Sequence, residues 1–366
     1  MLAPSLVGGL ESVVKMLLQG WVARGGSAAV ALALEPGEPV PAGWSDLESL
    51  GVRVLPLPIP HRSYLRERRL YADAIRDWKP DVVHCHGYRP DILAGWAAHG
   101  LGVARVSTVH GFTGVDWKNR LYETFQIRAL AHFDGVIAVS RSIVSRLVAA
   151  GVPQAVIALI PNALQPEPAL PREAARRELG LPAGEPVLGW VGRLSPEKGP
   201  DVLIDALPEL QNLPVKISLI GDGRLRGSLE EQARRIGVAD RVRFHGVIPG
   251  AARLYSAFDG FVLSSRTEGT PIALLEAMAA EVPIVATTVG GVPDVIGSDE
   301  GLLIPPEDPV ALATGIRAIL ENASVARARA IRARLRVARD FAAAPWIERH
   351  VEFYNTVLAR IRRPRA

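Results

Sequence analysis

The sequence predicts an α/β protein made of two Rossmann-like domains, each with a parallel sheet wrapped by helices. The chain has 366 residues, which is too many for one ordinary hydrophobic core. Apolar runs of strand length alternate with helical patterns almost throughout, as in proteins with parallel sheets. A proline-rich stretch, Pro161–Pro186, interrupts this alternation, which then restarts. We therefore expect domains over 1–165 and 166–344, followed by a C-terminal helix over 345–366.

The strands follow one another in the order expected of such domains. In the first domain they are predicted at Ala28–Leu34, Val52–Leu55, Asp81–Cys85, Arg105–Val109, Gly135–Val139 and Val156–Ile160, with helices such as Tyr64–Trp78 and Arg141–Ala150 between them. In the second domain they are predicted at Val187–Val191, Val215–Ile220, Val242–Phe244, Phe261–Leu263 and Ile284–Ala286. Parallel sheets bind ligands at the carboxyl ends of their strands, so the site is expected in a cleft between the domains.

The chain changes character from about Glu321. Two helices are predicted here, with a break at Pro345. The second, Trp346–Ile361, carries Trp346, His350 and Tyr354 near one face and is predicted to dock against another element. Residues 322–366 also contain 11 arginines and only 3 acidic residues, within a chain of net charge +4.

Composition excludes several classes of protein. The apolar fraction of 48% and charged fraction of 22% are those of a globular protein rather than a disordered one. The single cysteine, Cys85, excludes an intramolecular disulfide and indicates a reducing compartment. No apolar run reaches the ~18 residues of a membrane span, and the first residues do not have the pattern of a signal peptide. A cytoplasmic location is the expectation.

The most informative stretch is Ser264–Thr288. A predicted strand ends at Ser264, and Pro271 is predicted to open a helix as its first residue. The amides of Gly269, Thr270 and Ile272 would then be free at the positive end of that helix, where anions bind. Glu268 and Glu276 flank these amides, eight positions apart. Such a group suits a ligand that has both hydroxyls and phosphates, for example a nucleotide sugar.

A second loop carries two cations. Arg193 and Lys198 follow the strand Val187–Val191 within the sequence GRLSPEKG. The planar fork of an arginine and the compact charge of a lysine together neutralise a diphosphate. The alternative is a solvated basic loop that joins a strand to a helix.

The order of these motifs resembles that of glycosyltransferase family 4, a large family of retaining enzymes with the GT-B fold. The resemblance covers nearly the full length, through Gly8–Val14, Thr108–Phe112, Val136–Ser140, Pro161–Ala163, Gly189–Leu207, Leu219–Glu230, Ser264–Thr288, Val289–Ile296 and Gly301–Ile316. It implies two Rossmann-like domains that face a cleft, with C-terminal helices packing back on the first domain.

The resemblance also implies roles for individual residues. Arg193 and Lys198 would bind the diphosphate, and Glu268 would lie beside the donor sugar. Glu276 would accept hydrogen bonds from the ribose hydroxyls, since a carboxylate suits a vicinal diol; the alternative is a surface residue of the helix. His110 would contact the donor sugar, and the alternative is an interior histidine at a strand end.

Two glycine-containing loops complete the predicted donor site. Gly8 and Gly9 would allow the backbone to approach a phosphate or sugar closely. By the same resemblance Gly221, Asp222 and Gly223 would lie beside the nucleotide, and Phe244–Ile248 would help hold the base. The loop also resembles a dinucleotide fingerprint, but its last glycine is one position late and the next strand ends in no acid. A nicotinamide enzyme is therefore disfavoured.

No cofactor and no metal ion are expected. His84 and His86 lie two positions apart on one predicted strand, but no acidic or cysteine partner is spaced to complete a metal site. No nucleophilic serine or cysteine arrangement appears either, because the sequence around Ser140 lacks the flanking glycines.

The chain departs from the family pattern in a few places. Only Met1–Ala3 precede Pro4, where family members have a buried first strand, so we expect a start site upstream or a truncated form. Glu281 replaces a usual glycine at a predicted helix C-terminus, where the dipole disfavours an acid. Asp294 stands where the family commonly has glutamate, which keeps the charge. No acid follows Pro161–Ala163 in the usual place, so no role is assigned there.

The resemblance implies transfer of a sugar from a nucleoside diphosphate sugar with retention of configuration and without a metal. Lipid-linked glycan, polysaccharide and small-molecule acceptors all stay open, in cell-envelope or exopolysaccharide synthesis; no nucleic-acid partner is expected. The alternatives are a nucleotide-sugar epimerase and an inactive nucleotide-sugar-binding protein. A further alternative is a basic membrane-surface protein, suggested by the arginines at 327, 329, 332, 334, 336 and 339. As an accessory feature, these arginines would attach the protein weakly to anionic lipid.

Overall fold

The computed structural model of the chain describes residues 8–41, 43–60, 63–112 and 117–362. The chain divides into two compact units. The N-terminal unit comprises Met1–Asn162 together with Ala343–Ala366, and the C-terminal unit comprises Ala163–Ala342. The predicted absence of a first strand concerns Met1–Ala3, which lie outside the described residues.

The N-terminal unit is built of parallel β-strands with helices between them. Its strands are β1 (Ala28–Leu34), β2 (Val52–Pro58), β3 (Val82–His86), β4 (Ala104–Val109), β5 (Gly135–Ala138) and β6 (Ile157–Leu159). Its first helices are α1 (Gly9–Val22), α2 (Tyr64–Trp78), α3 (Tyr88–Gly100), α4 (Trp117–Leu130) and α5 (Arg141–Ala149). β1 pairs with β2, and β3 to β6 form a four-stranded sheet in chain order. β4 and β5 are buried at every position, as the continuous apolar pattern of a covered parallel strand predicts.

The C-terminal unit contains one six-stranded parallel sheet. Its strands are β7 (Val187–Val191), β8 (Lys216–Ile220), β9 (Val242–Gly246), β10 (Gly260–Leu263), β11 (Ile284–Thr287) and β12 (Leu302–Ile304), in the order β12-β11-β10-β7-β8-β9. Its helices are α6 (Arg172–Glu178), α7 (Pro200–Asp205), α8 (Arg226–Arg235), α9 (Ile272–Ala279), α10 (Val292–Val295), α11 (Pro309–Glu321) and α12 (Ala323–Asp340). The strand order reverses between β10 and β7, so the loops that follow these two strands lie at the place where such sheets bind ligands.

The arginines of α12 contact groups of their own unit. Arg327 and Arg334 pair with Glu281, and Arg336 pairs with Glu300. The other three hydrogen-bond nearby oxygens: Arg329 those of Ser298, Arg332 those of Asp299, and Arg339 those of Asp340. The arginines of α12 therefore make contacts within the C-terminal unit.

The last helix, α13 (Ala343–Arg362), belongs to the N-terminal unit, where it packs on α1, β4 and β5. Trp346, His350 and Tyr354 are buried on one face, which confirms the predicted docking face. The predicted break at Pro345 is wrong: the two helices are separated at Phe341–Ala342, and Pro345 lies in the first turn of α13. A proline is tolerated there because the first amides of a helix have no intrahelical acceptor.

Each strand predicted from the sequence is present, and α2 coincides with its prediction. β12 was not predicted, since an apolar run of three residues is too short to be recognised as a strand. Among the described residues, no helix combines the length and the apolarity needed to cross a bilayer.

Candidate active site

The loop after β7 is held tightly against the end of β10. Gly199 has a positive φ of 58°, and a Cβ at this position would lie 2.1 Å from the carbonyl oxygen of Ser264. The hydroxyl of Ser264 donates a hydrogen bond to the Gly199 carbonyl at 2.7 Å and accepts one from the Trp190 indole at 3.2 Å. Glycine is therefore required here, and the close approach places Lys198 beside the loop that follows β10.

Lys198 and Glu268 form an ion pair at this edge of the sheet. The Lys198 ammonium lies 2.8 Å from both carboxylate oxygens of Glu268. Ser265 donates a further hydrogen bond to Glu268 at 2.7 Å, and Glu268 is buried. The carboxylate is thus oriented by charge-assisted hydrogen bonds, and the lysine retains donors for a second anion. The sequence placed these two residues at one site, but it did not predict that they contact each other.

Arg193 lies earlier in the same loop, after β7. Its side chain is exposed, and no ion pair joins it to the residues that the structure describes. The backbone beside it is fixed, because the amide of Leu194 donates to the carbonyl of Asp222 at 3.0 Å. An arginine on a fixed backbone with an unused guanidinium is suited to bind an anionic ligand.

The predicted glycines of the loop after β8, Gly221 and Gly223, allow that loop to approach the loop after β7 closely. A Cβ on Gly221 would lie 1.8 Å from the Gly192 carbonyl oxygen, and one on Gly223 would lie 2.4 Å from that of Leu194. Asp222 accepts a hydrogen bond from the Gly223 amide at 2.7 Å. The loops after β7 and β8 therefore pack backbone to backbone, and larger residues would separate them.

The helix α9 begins one residue later than predicted. Pro271 is the extended N-cap, and Ile272 is the first helical residue. Gly269 and Thr270 form the turn before it. The first amides of α9 follow directly on the loop of Glu268, and the amides that open a helix have no acceptor within it. The correction moves the proline out of the helix without moving the anion-binding end away from Glu268.

Glu276 lies one turn into α9, half-buried among apolar residues. The hydroxyl of Tyr255 donates to its carboxylate at 2.8 Å. Burial raises the pKa of Glu276 to about 7, which the hydrogen bond from Tyr255 only partly offsets. The surface-residue alternative is therefore disfavoured. Tyr255 was not singled out in the sequence, because it lies in a short 3₁₀ segment outside the recognised motifs.

His110 lies at the end of β4 in the N-terminal unit. Its Nε2 atom is 3.1 Å from Nδ1 of His86, and their rings are stacked at 5.4 Å. Burial lowers the pKa of His110 to about 4, so its ring is neutral at pH 7. His86 was considered only as part of a metal site, and its contact with His110 shows that it orients that ring.

His84 is a third histidine beside His86 and His110, and it contacts α13. Its Nδ1 is 2.6 Å from the hydroxyl of Tyr354, and its Nε2 is 2.8 Å from that of Thr108. Within the described part of the chain, no group of three histidine, cysteine or acidic residues is placed to hold a metal ion.

Both predicted glycines of this unit lie at the start of α1, where Gly8 is the extended N-cap and Gly9 the first helical residue.

Comparison with known proteins finds matches along most of the chain. Residues 7–167 match the model of Glycosyltransferase Family 4, and residues 185–322 match that of glycosyl transferases group 1. The glycogen synthase of Mycobacterium tuberculosis is 31% identical over 376 residues, covering 92% of this chain and 88% of that protein. A 2-deoxystreptamine N-acetyl-D-glucosaminyltransferase of Streptomyces fradiae is 29% identical, covering 84% and 81%.

Solved structures share the fold. HepE of Anabaena, solved in complex with UDP and glucose, superposes with a TM-score of 0.84 at 22% identity, covering 95% of this chain and 96% of that one. The sucrose-phosphate synthase of Thermosynechococcus elongatus superposes with a TM-score of 0.81 at 24% identity, covering 97% and 94%.

Proposed function

Because this chain belongs to glycosyltransferase family 4 and has the GT-B fold, we propose that it transfers a sugar from a nucleoside diphosphate sugar with retention of anomeric configuration. The acceptor is a glycan, a lipid-linked glycan or a small molecule, in cell-envelope or exopolysaccharide synthesis in the cytoplasm. The relatives are named glycogen synthase and 2-deoxystreptamine N-acetyl-D-glucosaminyltransferase, and HepE was solved in complex with UDP and glucose. These names support a nucleotide-sugar donor without fixing the sugar.

The observation that carries the proposal is the group of charges at the carboxyl edge of the C-terminal sheet. Lys198 is held by Glu268 at 2.8 Å, Arg193 is exposed, and the start of α9 lies beside them. This arrangement offers fixed positive charge to a diphosphate and a carboxylate to the sugar attached to it. Glu276 accepts hydrogen bonds from the ribose diol, and Gly221–Gly223 line the nucleotide. The family resemblance also assigns Gly8, Gly9 and His110 of the N-terminal unit to the donor.

In the proposed reaction the bond between the anomeric carbon and the diphosphate oxygen breaks, and the diphosphate leaves with the electron pair. The acceptor hydroxyl attacks the same face, and its proton passes to a diphosphate oxygen. Arg193 and Lys198 stabilise the charge that develops on the leaving group. Each such preorganised donor contributes about 2.7–4 kcal/mol to lowering a barrier. The scheme uses no metal ion and no cofactor.

A panel of nucleotide sugars tests the proposal. We expect one donor to raise the melting temperature and to release nucleoside diphosphate when an acceptor is added, with a product of unchanged anomeric configuration by NMR. Lys198→Ala should lower kcat about 100- to 1000-fold. Lys216→Ala is the matched control, since Lys216 lies at the amino end of β8 and pairs weakly with exposed acids.

The rival functions give different outcomes. An epimerase converts the donor without releasing nucleoside diphosphate, and an inactive binding protein is stabilised by the donor without turning it over. Inverted configuration in the product would overturn retention alone. Equal activity of the Lys198 and Lys216 variants would overturn the proposed site.

A further inference from the structure

The N-terminal unit exposes a continuous aromatic and aliphatic surface across three neighbouring helices. We name it the α2–α4 face and define it by exposed side chains of α2, α3 and α4, namely Tyr64, Leu65, Tyr88, Trp96, Tyr122 and Phe125. Leu65 is 85% exposed and Trp96 is 57% exposed. Single exposed apolar residues are common, but a group of this kind on adjacent helices marks an interaction surface.

Ring contacts between the helices show that the surface is continuous. Tyr88 of α3 stacks on Tyr122 of α4, with ring centroids 5.4 Å apart. The guanidinium of Arg68 on α2 lies 5.6 Å from the ring of Trp96 on α3. Arg89 of α3 lies 5.8 Å from the ring of Tyr64 on α2. The three helices therefore present one face rather than three separate patches.

The face is also cationic. Arg66, Arg68 and Arg69 are exposed on α2. The acidic residues in the first two turns of the three helices are Glu67, Asp91 and Glu123, and all three are buried. Glu67 pairs with Arg89, and Glu123 pairs with Arg146. An anionic partner therefore meets arginines without meeting an exposed carboxylate in these turns.

We infer that the α2–α4 face docks on an anionic lipid bilayer. Tyrosine and tryptophan side chains favour the lipid headgroup region, and exposed leucine and phenylalanine side chains insert below it. Arginines near the surface are attracted to anionic lipids and lose that attraction when salt screens it. A nucleic acid would satisfy the arginines but would leave Leu65 and Phe125 without an apolar partner.

The face replaces α12 as the place of attachment. The arginines of α12 contact carboxylates or carbonyl oxygens of their own unit, whereas Arg66 and Arg69 have no partner among the described residues. None of the side chains of the face is assigned to donor binding. Failure of the proposed transferase activity would therefore leave this inference intact, and the reverse also holds.

Sedimentation with vesicles tests it. The full chain should bind vesicles of phosphatidylcholine with phosphatidylglycerol, release from them at high salt, and bind pure phosphatidylcholine weakly. Arg66→Gln/Arg68→Gln/Arg69→Gln should weaken binding about a hundredfold, from ~1 kcal/mol per charge. Arg329→Gln/Arg332→Gln/Arg339→Gln removes the same charge from α12 and should leave binding unchanged.

A second measurement separates insertion from charge alone. Leu65→Gln should weaken vesicle binding at constant charge, and brominated lipids should quench the wild-type fluorescence more than that of Trp96→Phe. Circular dichroism and nucleoside diphosphate release in solution verify that the variants are folded. Equal losses in the two arginine triples, salt-insensitive binding, or a dimer that Leu65→Gln dissociates would each overturn the inference.

Discussion

At the scale of single residues, Glu276 combines a proposed role in donor binding with a cost in stability. Burial raises its pKa to about 7, so the folded protein retains a proton that the unfolded chain releases near pH 4.5. Stability linked to this residue is therefore present at low pH and is lost as the pH rises from about 4.5 to about 7. In its proposed role, a donor whose ribose hydroxyls bind the carboxylate would recover part of this loss.

We predict that Glu276→Gln stabilises the free protein above pH 7. Glutamine keeps an oxygen that accepts from Tyr255 but carries no charge. The gain in the free energy of unfolding should be about 3 kcal/mol at pH 8 and should fall below about 1 kcal/mol at pH 5, since one pKa unit corresponds to ~1.4 kcal/mol. Urea unfolding at the two pH values measures it.

The same substitution should weaken donor binding. A hydrogen bond to a charged group contributes about 1.5–3 kcal/mol, so the Kd for the nucleoside diphosphate should rise about 10- to 100-fold. Calorimetry at pH 8 measures this change. A variant that is both less stable and equally good at binding would contradict the assignment of Glu276 to the ribose.

The residues of the site were predictable to different degrees. Lys198 and Glu268 lie in motifs with a strand before them and a helix after them, so their common position could be expected. Tyr255 and His86 could not, because their roles depend on contacts with residues that are distant in sequence. A hydroxyl donor beside a carboxylate leaves no periodic pattern that a sequence would reveal.

At the scale of elements, α9 ends with an unusual residue that α12 supports. Glu281 follows the last turn of α9 with a positive φ of 54°, a conformation that favours glycine. Its carboxylate pairs with Arg327 at 2.6 Å and with Arg334. Backbone strain of about 1 kcal/mol is thus offset by two ion pairs of roughly 0.2–1 kcal/mol each.

We therefore predict different changes in the free energy of unfolding for two substitutions at this position. Glu281→Ala keeps the strain and loses both pairs, so it should lower the free energy of unfolding by about 1 kcal/mol. Glu281→Gly loses the pairs but relieves the strain, so it should stay within roughly 0.5 kcal/mol of the wild type. Urea unfolding at low salt tests both. Equal destabilisation by the two substitutions would show that strain plays no part.

Elements with clear periodicity were predictable, and their ends were less so. The strands β1 and β7 and the helix α2 coincide with their predicted bounds, because their apolar runs or helical repeat end at polar or turn residues there. Pro345 and Pro271 were misplaced by the same reasoning, since proline is compatible with several positions around a helix start. Which position it takes depends on packing that the sequence does not display.

At the scale of the whole molecule, the two units differ in how buried titrating groups respond to acid. In the N-terminal unit burial lowers the pKa values of His84, His86, His110 and His350, those of His110 and His350 to about 4. The unfolded chain binds these protons near pH 6.5, so stability falls as the pH drops from about 6.5 toward 4. Burial raises the pKa of Asp91 to about 7, which opposes this trend with one group.

In the C-terminal unit the stabilising and destabilising effects of acid on buried groups nearly cancel. Burial raises the pKa of Glu276 to about 7, and burial with the charge of Arg243 lowers that of His245 to about 4. Acidification stabilises the unit through the first group and destabilises it through the second. We therefore predict that lowering the pH from 7 to 5 destabilises the N-terminal unit by a few kcal/mol and leaves the other nearly unchanged.

Hydrogen exchange measured by mass spectrometry tests this prediction unit by unit. Between pH 7 and 5, after correction for the intrinsic exchange rate, peptides from β4 and α13 should lose protection while peptides from β7 and β10 keep theirs. His350→Phe retains an aromatic ring against Trp346, 4.2 Å away in the wild type, and removes one titrating group. In this variant, protection of the N-terminal unit from hydrogen exchange should therefore change less between pH 7 and 5. Simultaneous loss of protection in both units would mean that the buried histidines do not control the acid response, because only one unit contains the group of four.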